Sequence, residues 1–114
     1  MRKLLVVLVL VLAGGLMAVF TTSAPSATRV KIGDNYFVRS SGVPTVTVAK
    51  GTKVRWAFVG NLPHNVTAVS GPSRFGSETM SDGSYTKKLR KRGNYTIICT
   101  IHGGGDQKMK LVVE

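Results

Sequence analysis

The chain has 114 residues, 16 of them lysine or arginine against five carboxylates, for a formal charge of +11. That length holds one modest domain and leaves no room for a multidomain enzyme. A single cysteine, Cys99, excludes an internal disulfide, and two histidines leave few groups for acid–base or metal chemistry.

Arg2 and Lys3 precede a charge-free apolar run from Leu4 to Phe20, and small and polar residues follow to Ala27. That order is the pattern of an export signal. At 17 residues the run also stands near the lower limit for a bilayer-spanning anchor. Cleavage after Ala24 or after Ala27 is compatible with the small residues there. We therefore divide the chain into a signal peptide or N-terminal membrane anchor, residues 1–27, and a domain, residues 28–114. The protein is expected to be exported to the periplasm, the cell surface or the medium. Membrane association would run through the N-terminal segment. No cysteine lies near that segment, which excludes thioether lipidation.

From residue 28 onward the pattern is β. Short candidates cover Val30–Ile32 and Thr45–Ala49, and then Val54, Trp56 and Phe58 alternate with Lys53, Arg55 and Ala57. Further candidates are His64–Val69 and Ser84–Leu89. Tyr95, Ile97 and Cys99 repeat the period of two, as do Met109, Leu111 and Val113 opposite Lys108, Lys110 and Val112. Turn chemistry separates these segments at Ser41-Gly42, Lys50-Gly51, Gly71-Pro72, Asp82-Gly83 and Arg92-Gly93. No stretch after the apolar run reads as a helix. Seven or so short strands at this spacing predict an antiparallel sandwich or small barrel. Trp56, Phe58 and Tyr95 share the inward parity and are assigned to its core.

Lys87-Lys-Leu-Arg-Lys-Arg92 concentrates five cations. Such a run can bind nucleic acid, but export argues against that partner. An acidic redox protein steered by long-range attraction, an anionic cell-wall polymer and membrane headgroups fit instead. The plain alternative is a solvated strand-and-turn face.

The informative residues are the three rarest. Cys99 and His102 stand in the run Cys99-Thr-Ile-His102, and His64 lies apart in Leu62-Pro-His-Asn-Val66. Two imidazoles and one thiolate form a mixed N/S donor set that suits mononuclear copper or zinc. A free thiol outside the cell is a liability unless something occupies it. A small buried apolar cysteine is the competing reading.

Lys50-Gly-Thr-Lys-Val-Arg-Trp56, Leu62-Pro-His-Asn-Val66 and Gly93-Asn-Tyr-Thr-Ile-Ile-Cys-Thr-Ile-His102 resemble the plastocyanin/pseudoazurin branch of the cupredoxins. The resemblance runs from about Val30 to Glu114. It implies an all-β Greek-key sandwich of seven to eight strands (the cupredoxin fold) holding one type 1 blue copper per chain. It also implies a monomeric one-electron carrier that is not an enzyme. Carried over residue by residue, it makes His64 and His102 the imidazole ligands and Cys99 the thiolate. Asn65 and Thr100 become the pair that ties the ligand loops together, with the Asn65 N–H donating to the thiolate.

The axial position departs from the common pattern. Family loops read Cys-x2-His-x4-Met, and here the methionine slot holds Gln107. A glutamine axial ligand resembles the stellacyanin-like members. Its amide oxygen is a harder donor than a thioether and should favour Cu(II), lowering the potential. Met109 shares the inward parity of Gln107 and remains the alternative. The partner implied is a redox protein, with an acidic docking surface if the basic run meets it. The competing function is a copper-binding or delivery protein that never turns over electrons. Against it, the chain has no Met-rich or His-rich tract.

Overall fold

The computed structural model describes residues 27–39 and 42–114. The predicted export segment and Ser41 of the Ser41-Gly42 turn lie outside these residues. Eight strands form two four-stranded sheets, in the order β2-β1-β4-β6 and β3-β8-β7-β5. The first sheet holds β1 (Thr28–Gly33), β2 (Tyr36–Phe37), β4 (Lys53–Phe58) and β6 (Ser84–Lys88). The second holds β3 (Thr45–Val48), β5 (Thr67–Ser70), β7 (Gly93–Ile98) and β8 (Lys108–Val113). Strands β1 and β4 pair in parallel, as do β3 and β8, and the other neighbours are antiparallel. This is the all-β Greek-key sandwich expected from the sequence, except that two of its pairs are parallel where the strand spacing predicted an antiparallel arrangement.

The alternation becomes burial. Val54, Trp56 and Phe58 face the core from β4, Tyr95 and Ile97 from β7, and Met109, Leu111 and Val113 from β8. Trp56 packs beside Phe75 and Tyr85, with ring centroids 6.0 and 5.8 Å away, and Phe75 reaches Tyr95 at 5.9 Å. Aromatic pairs at these separations add to area burial.

Three local features differ from the sequence reading. The segment expected as a strand from His64 begins regular pairing only at Thr67. Pro63 has no N–H to give, and the Val66 N–H is taken by the Ser77 hydroxyl at 2.9 Å. His64 instead forms a single bridge with Met80, each N–H meeting the other carbonyl at 2.9 Å. The two-residue β2 was too short to leave a period. It follows a tight turn in which Asn35 adopts φ 71°, a left-handed conformation that asparagine tolerates. Finally, a one-turn helix, α1 (Gly103–Asp106), occupies the loop after His102. Three consecutive glycines are poor helix formers. The turn is set by its ends, where Gly103 N–H meets the Cys99 carbonyl at 2.9 Å and Gly103 takes φ 76°.

The buried Trp56 indole N–H has no hydrogen-bond partner among the described residues. Trp56→Phe is therefore expected to cost little, under ~1.5 kcal/mol, because removing an unpaired donor offsets lost packing. Trp56→Ala should cost ~3–5 kcal/mol. Urea denaturation of both variants measures the difference, and equal losses would mean that the indole N–H is satisfied.

Candidate metal centre

The three rare side chains converge at one end of the sandwich. Cys99 lies immediately after β7, its N–H held by the Gln107 carbonyl at 3.2 Å across to the start of β8. His102 follows in the connection to α1, and His64 arrives from the first sheet's side on the Met80 bridge. The Cys99 sulfur is 3.9 Å from His64 Nδ1 and 3.6 Å from His102 Nδ1. All three donor atoms lie within 4.8 Å of one another. Cys99 and His64 are fully buried, while His102 is only half-buried.

Gln107 closes the cluster. It is fully buried, and its Nε2 donates to the Gly33 carbonyl at 2.9 Å and the Tyr36 carbonyl at 3.1 Å. Two carbonyls can face only the NH2 end of an amide. The oxygen therefore points the other way, and Oε1 lies 3.0 Å from His102 Nδ1. Met109 is also fully buried, but it pairs with Ile97, one inward-facing position deeper along the strands. Two residues of strand place it ~7 Å further along the backbone than Gln107. It belongs to the hydrophobic core cluster with Leu111 and Val113.

Asn65 joins the two loops. Its Nδ2 donates to the Thr100 hydroxyl at 2.8 Å, and its Oδ1 accepts from the Thr100 N–H at 3.1 Å and the Thr67 hydroxyl at 2.9 Å. Asn65→Ala removes all three bonds from a side chain only 6 % exposed. At about 1 kcal/mol each, the expected loss is ~2–3 kcal/mol, read as a lower denaturant midpoint. An unchanged midpoint would show that the loops are held together elsewhere.

Sequence reasoning missed Asp34. It sits in the turn between β1 and β2, where Oδ1 accepts from His64 Nε2 at 2.9 Å. The same carboxylate accepts the backbone N–H groups of Asn61 and Leu62 at 3.0 Å each. With the proton held on Nε2, Nδ1 presents its lone pair to the cluster, the arrangement by which a carboxylate orients a metal-binding imidazole. The bond to His64 and then the two N–H bonds hold the Asp34 carboxyl down, from its ordinary 3.8 to about 2. A carboxylate with a lowered folded pKa contributes stability above its unfolded value and loses it as pH falls through the folded one. The metal-free protein should therefore lose an Asp34-dependent increment of stability between about pH 4 and pH 2. Urea midpoints measured over that range should show the increment in the wild type and not in Asp34→Asn.

The donor set is soft and mixed, two imidazole nitrogens and a sulfur with an amide oxygen beside them. A metal that accepts N and S ligands in low coordination fits it. Carboxylate-rich sites for hard cations look different.

No family model matches the chain. It is 34 % identical over 107 residues to amicyanin-alpha of Methylorubrum extorquens strain AM1, covering 90 % of this chain and 85 % of that protein. Among solved structures it is similar to the Cu(I) form of a methionine-to-alanine amicyanin variant, with TM-score 0.63, 26 % identity, and 81 % and 86 % of the two chains covered. A methionine-to-glutamine amicyanin variant, also Cu(I), aligns with TM-score 0.63 and 28 % identity over 80 % of this chain and 85 % of that one. A copper-containing nitrite reductase of Thermus scotoductus SA-01 shares the fold at TM-score 0.65 and 21 % identity, but only 24 % of its chain is covered. With a relative this similar over 90 % of its length, the chain belongs to the amicyanin-like cupredoxins.

Proposed function

We propose that this protein carries one copper and works as an exported one-electron carrier. His64 Nδ1, Cys99 Sγ and His102 Nδ1 would hold the metal, with Gln107 Oε1 as a weak axial donor. The observation that carries this reading is the convergence of the chain's two histidines and only cysteine within 4.8 Å, at the end of a cupredoxin sandwich. Copper held there would supply a one-electron Cu(II)/Cu(I) couple in a site acceptable to both states.

The chain's own residues prepare that site. Asp34 keeps the His64 proton on Nε2, and the Gly33 and Tyr36 carbonyls keep the Gln107 oxygen turned inward. Asn65 keeps the loops in register, and burial of Cys99 excludes water from the sulfur. Holding every donor in place before the electron arrives lowers the reorganisation that transfer requires. His102 is the half-buried ligand and the route to the surface, preceded by the exposed Ile101, while Leu62, two residues before His64, is exposed as well, at 51 % and 48 % accessible. An exposed apolar rim around a ligand suits transient contact with a redox protein.

The acidic docking surface expected of that partner needs a different weight. The basic run lies at the opposite end of the sandwich from His102, so contact at the metal end would rest on the apolar rim. Both histidines are committed to one cluster, leaving none for a second metal centre or for acid–base chemistry. A carrier without a reaction of its own is the consistent reading. We take residues 28–114 as the carrier domain, a reading supported by β1 opening at Thr28.

Copper reconstitution of the purified protein, read by visible absorption and electron paramagnetic resonance, tests the assignment. An intense thiolate-to-copper band in the red and a narrow Cu(II) hyperfine splitting are expected. A protein that takes only Cu(I) and stays colourless under oxidants would replace the carrier by a delivery function.

A further inference from the structure

The basic run that the metal site leaves unexplained has a definite place in the fold. Strand β7 runs from Gly93 to the threshold of Cys99. Six residues at ~3.3 Å each put the Arg92-Gly93 turn ~20 Å from the metal ligands. At that far pole the register pairs Lys53 with Lys88 and Val54 with Lys87. Gly51 N–H donates to the Leu89 carbonyl at 2.6 Å, and Leu89 N–H donates to the Thr52 carbonyl at 2.9 Å. Lys50, Lys53, Lys88, Arg90, Lys91 and Arg92 are all exposed there. Leu89, 1 % exposed, roots the run in the core, so the flanking cations are fixed outward. Ser73 and residues 87–91 line a cleft of about 410 Å3 between them.

The carboxylates are distributed the other way. Asp34 contacts His64, Asp106 lies in α1, Glu78 stands two residues from the Met80 bridge to His64, and Asp82 precedes the Gly83 carbonyl that holds Phe58. Only Glu114 sits at the basic pole, its carbonyl accepting from Lys50 N–H at 2.8 Å. Among the described residues no lysine or arginine lies within 4.0 Å of a carboxylate, so the pole's charge is uncompensated by ion pairs.

The chain also enters at this pole. Thr28 opens β1 and pairs with Val54, which pairs with Lys87. The apolar run 4–20 precedes it by only residues 21–27. We infer that the basic pole is a docking face for an anionic phospholipid surface, holding the domain with His102 and its apolar rim directed away from the bilayer. Each Lys or Arg near such a surface contributes ~1 kcal/mol, falling off within a Debye length. The six exposed cations are enough to orient a domain tethered through the apolar run, the anchor reading of residues 1–27 on which this inference rests. An acidic redox protein fits the pole less well, since it would sit with the length of the sandwich between it and the metal ligands.

The test uses the full chain, without copper, reconstituted into phosphatidylcholine vesicles with or without phosphatidylglycerol. Amine acetylation at each lysine is then read by mass spectrometry. Lys50, Lys53, Lys88 and Lys91 should label about threefold or more slowly on the anionic vesicles, with high salt erasing the difference. Lys108 and Lys110, on β8, should label alike on both. The variant combining Lys88→Glu, Arg90→Glu and Lys91→Glu should lose the protection at Lys50 and Lys53. Unchanged fluorescence of Trp56, the only tryptophan, verifies its fold. Equal labelling on the two vesicle types overturns the proposal. So does protection by soluble polyglutamate without protection by anionic vesicles, which would assign the pole to an acidic protein or polymer. None of these readouts depends on copper, so the proposed electron-carrier function can fail independently.

Discussion

Cys99→Ser is expected to abolish the intense visible band of the copper-loaded protein and to weaken copper binding by more than the ~10–100-fold typical of outer contacts. The sulfur would be the central donor, since it lies 3.9 and 3.6 Å from the two imidazole nitrogens and is closed to solvent. A thiol with an ordinary pKa of ~8.5 ionises readily beside a metal, whereas a serine hydroxyl keeps its proton at neutral pH. The variant would offer a neutral, harder and shorter donor, and no thiolate-to-copper transition could occur. The fold should survive, with metal-free stability changed by only ~1 kcal/mol, because the two side chains are close in size. Visible spectra together with competition against a Cu(I) chelator read both effects. A variant that kept the band would place the copper elsewhere and sink the site.

Gln107→Met is the second large effect, and it acts on the potential. A thioether is a softer donor than an amide oxygen and favours Cu(I). For a one-electron couple each tenfold change in the ratio of Cu(II) to Cu(I) affinity is ~59 mV, and a change of one to three decades predicts a rise of roughly 60–180 mV. The same substitution strips the Gly33 and Tyr36 carbonyls of their donor, so stability should fall by on the order of 2 kcal/mol. Met109→Leu is the matched control. It alters only core packing, should cost less than ~1.5 kcal/mol, and should leave the potential in place. Voltammetry of the two variants decides between the candidate axial residues. A shift on changing Met109 with none on changing Gln107 would reverse the assignment.

Rarity and spacing made the candidate metal cluster legible. One cysteine and two histidines leave few combinations, and Cys-x2-His places two donors on one loop by local geometry alone. The strand pattern was equally local, since β7 and β8 bury alternate side chains and β4 does so apart from Ala57, which is buried too. What failed to show had no period to show. Strand β2 is two residues long, α1 is made of poor helix formers, and the His64 segment gives its N–H groups to Met80 and Ser77 instead of to a strand neighbour. Asp34 was invisible for a related reason. Its Gly-Asp-Asn setting reads as a turn, and nothing in a turn announces an imidazole thirty positions away.

The basic run makes the same division at larger scale. Its charge was plain from the order of residues, but its direction was not. Only the pairing of β4 with β6, and of β1 with β4, places those cations at the chain's entrance and at the far end from His102.

By itself, then, the order of amino acids determined the fold class and singled out the three rare side chains proposed as ligands, because those follow from local period and from scarcity, while Gln107 stood out only against the family's loop pattern. Tertiary structure decided which atom of Gln107 faces the site, which carboxylate steadies His64 and which pole holds the charge. Those depend on contacts between segments thirty or more residues apart, and their geometry exists only once the two sheets have closed on each other.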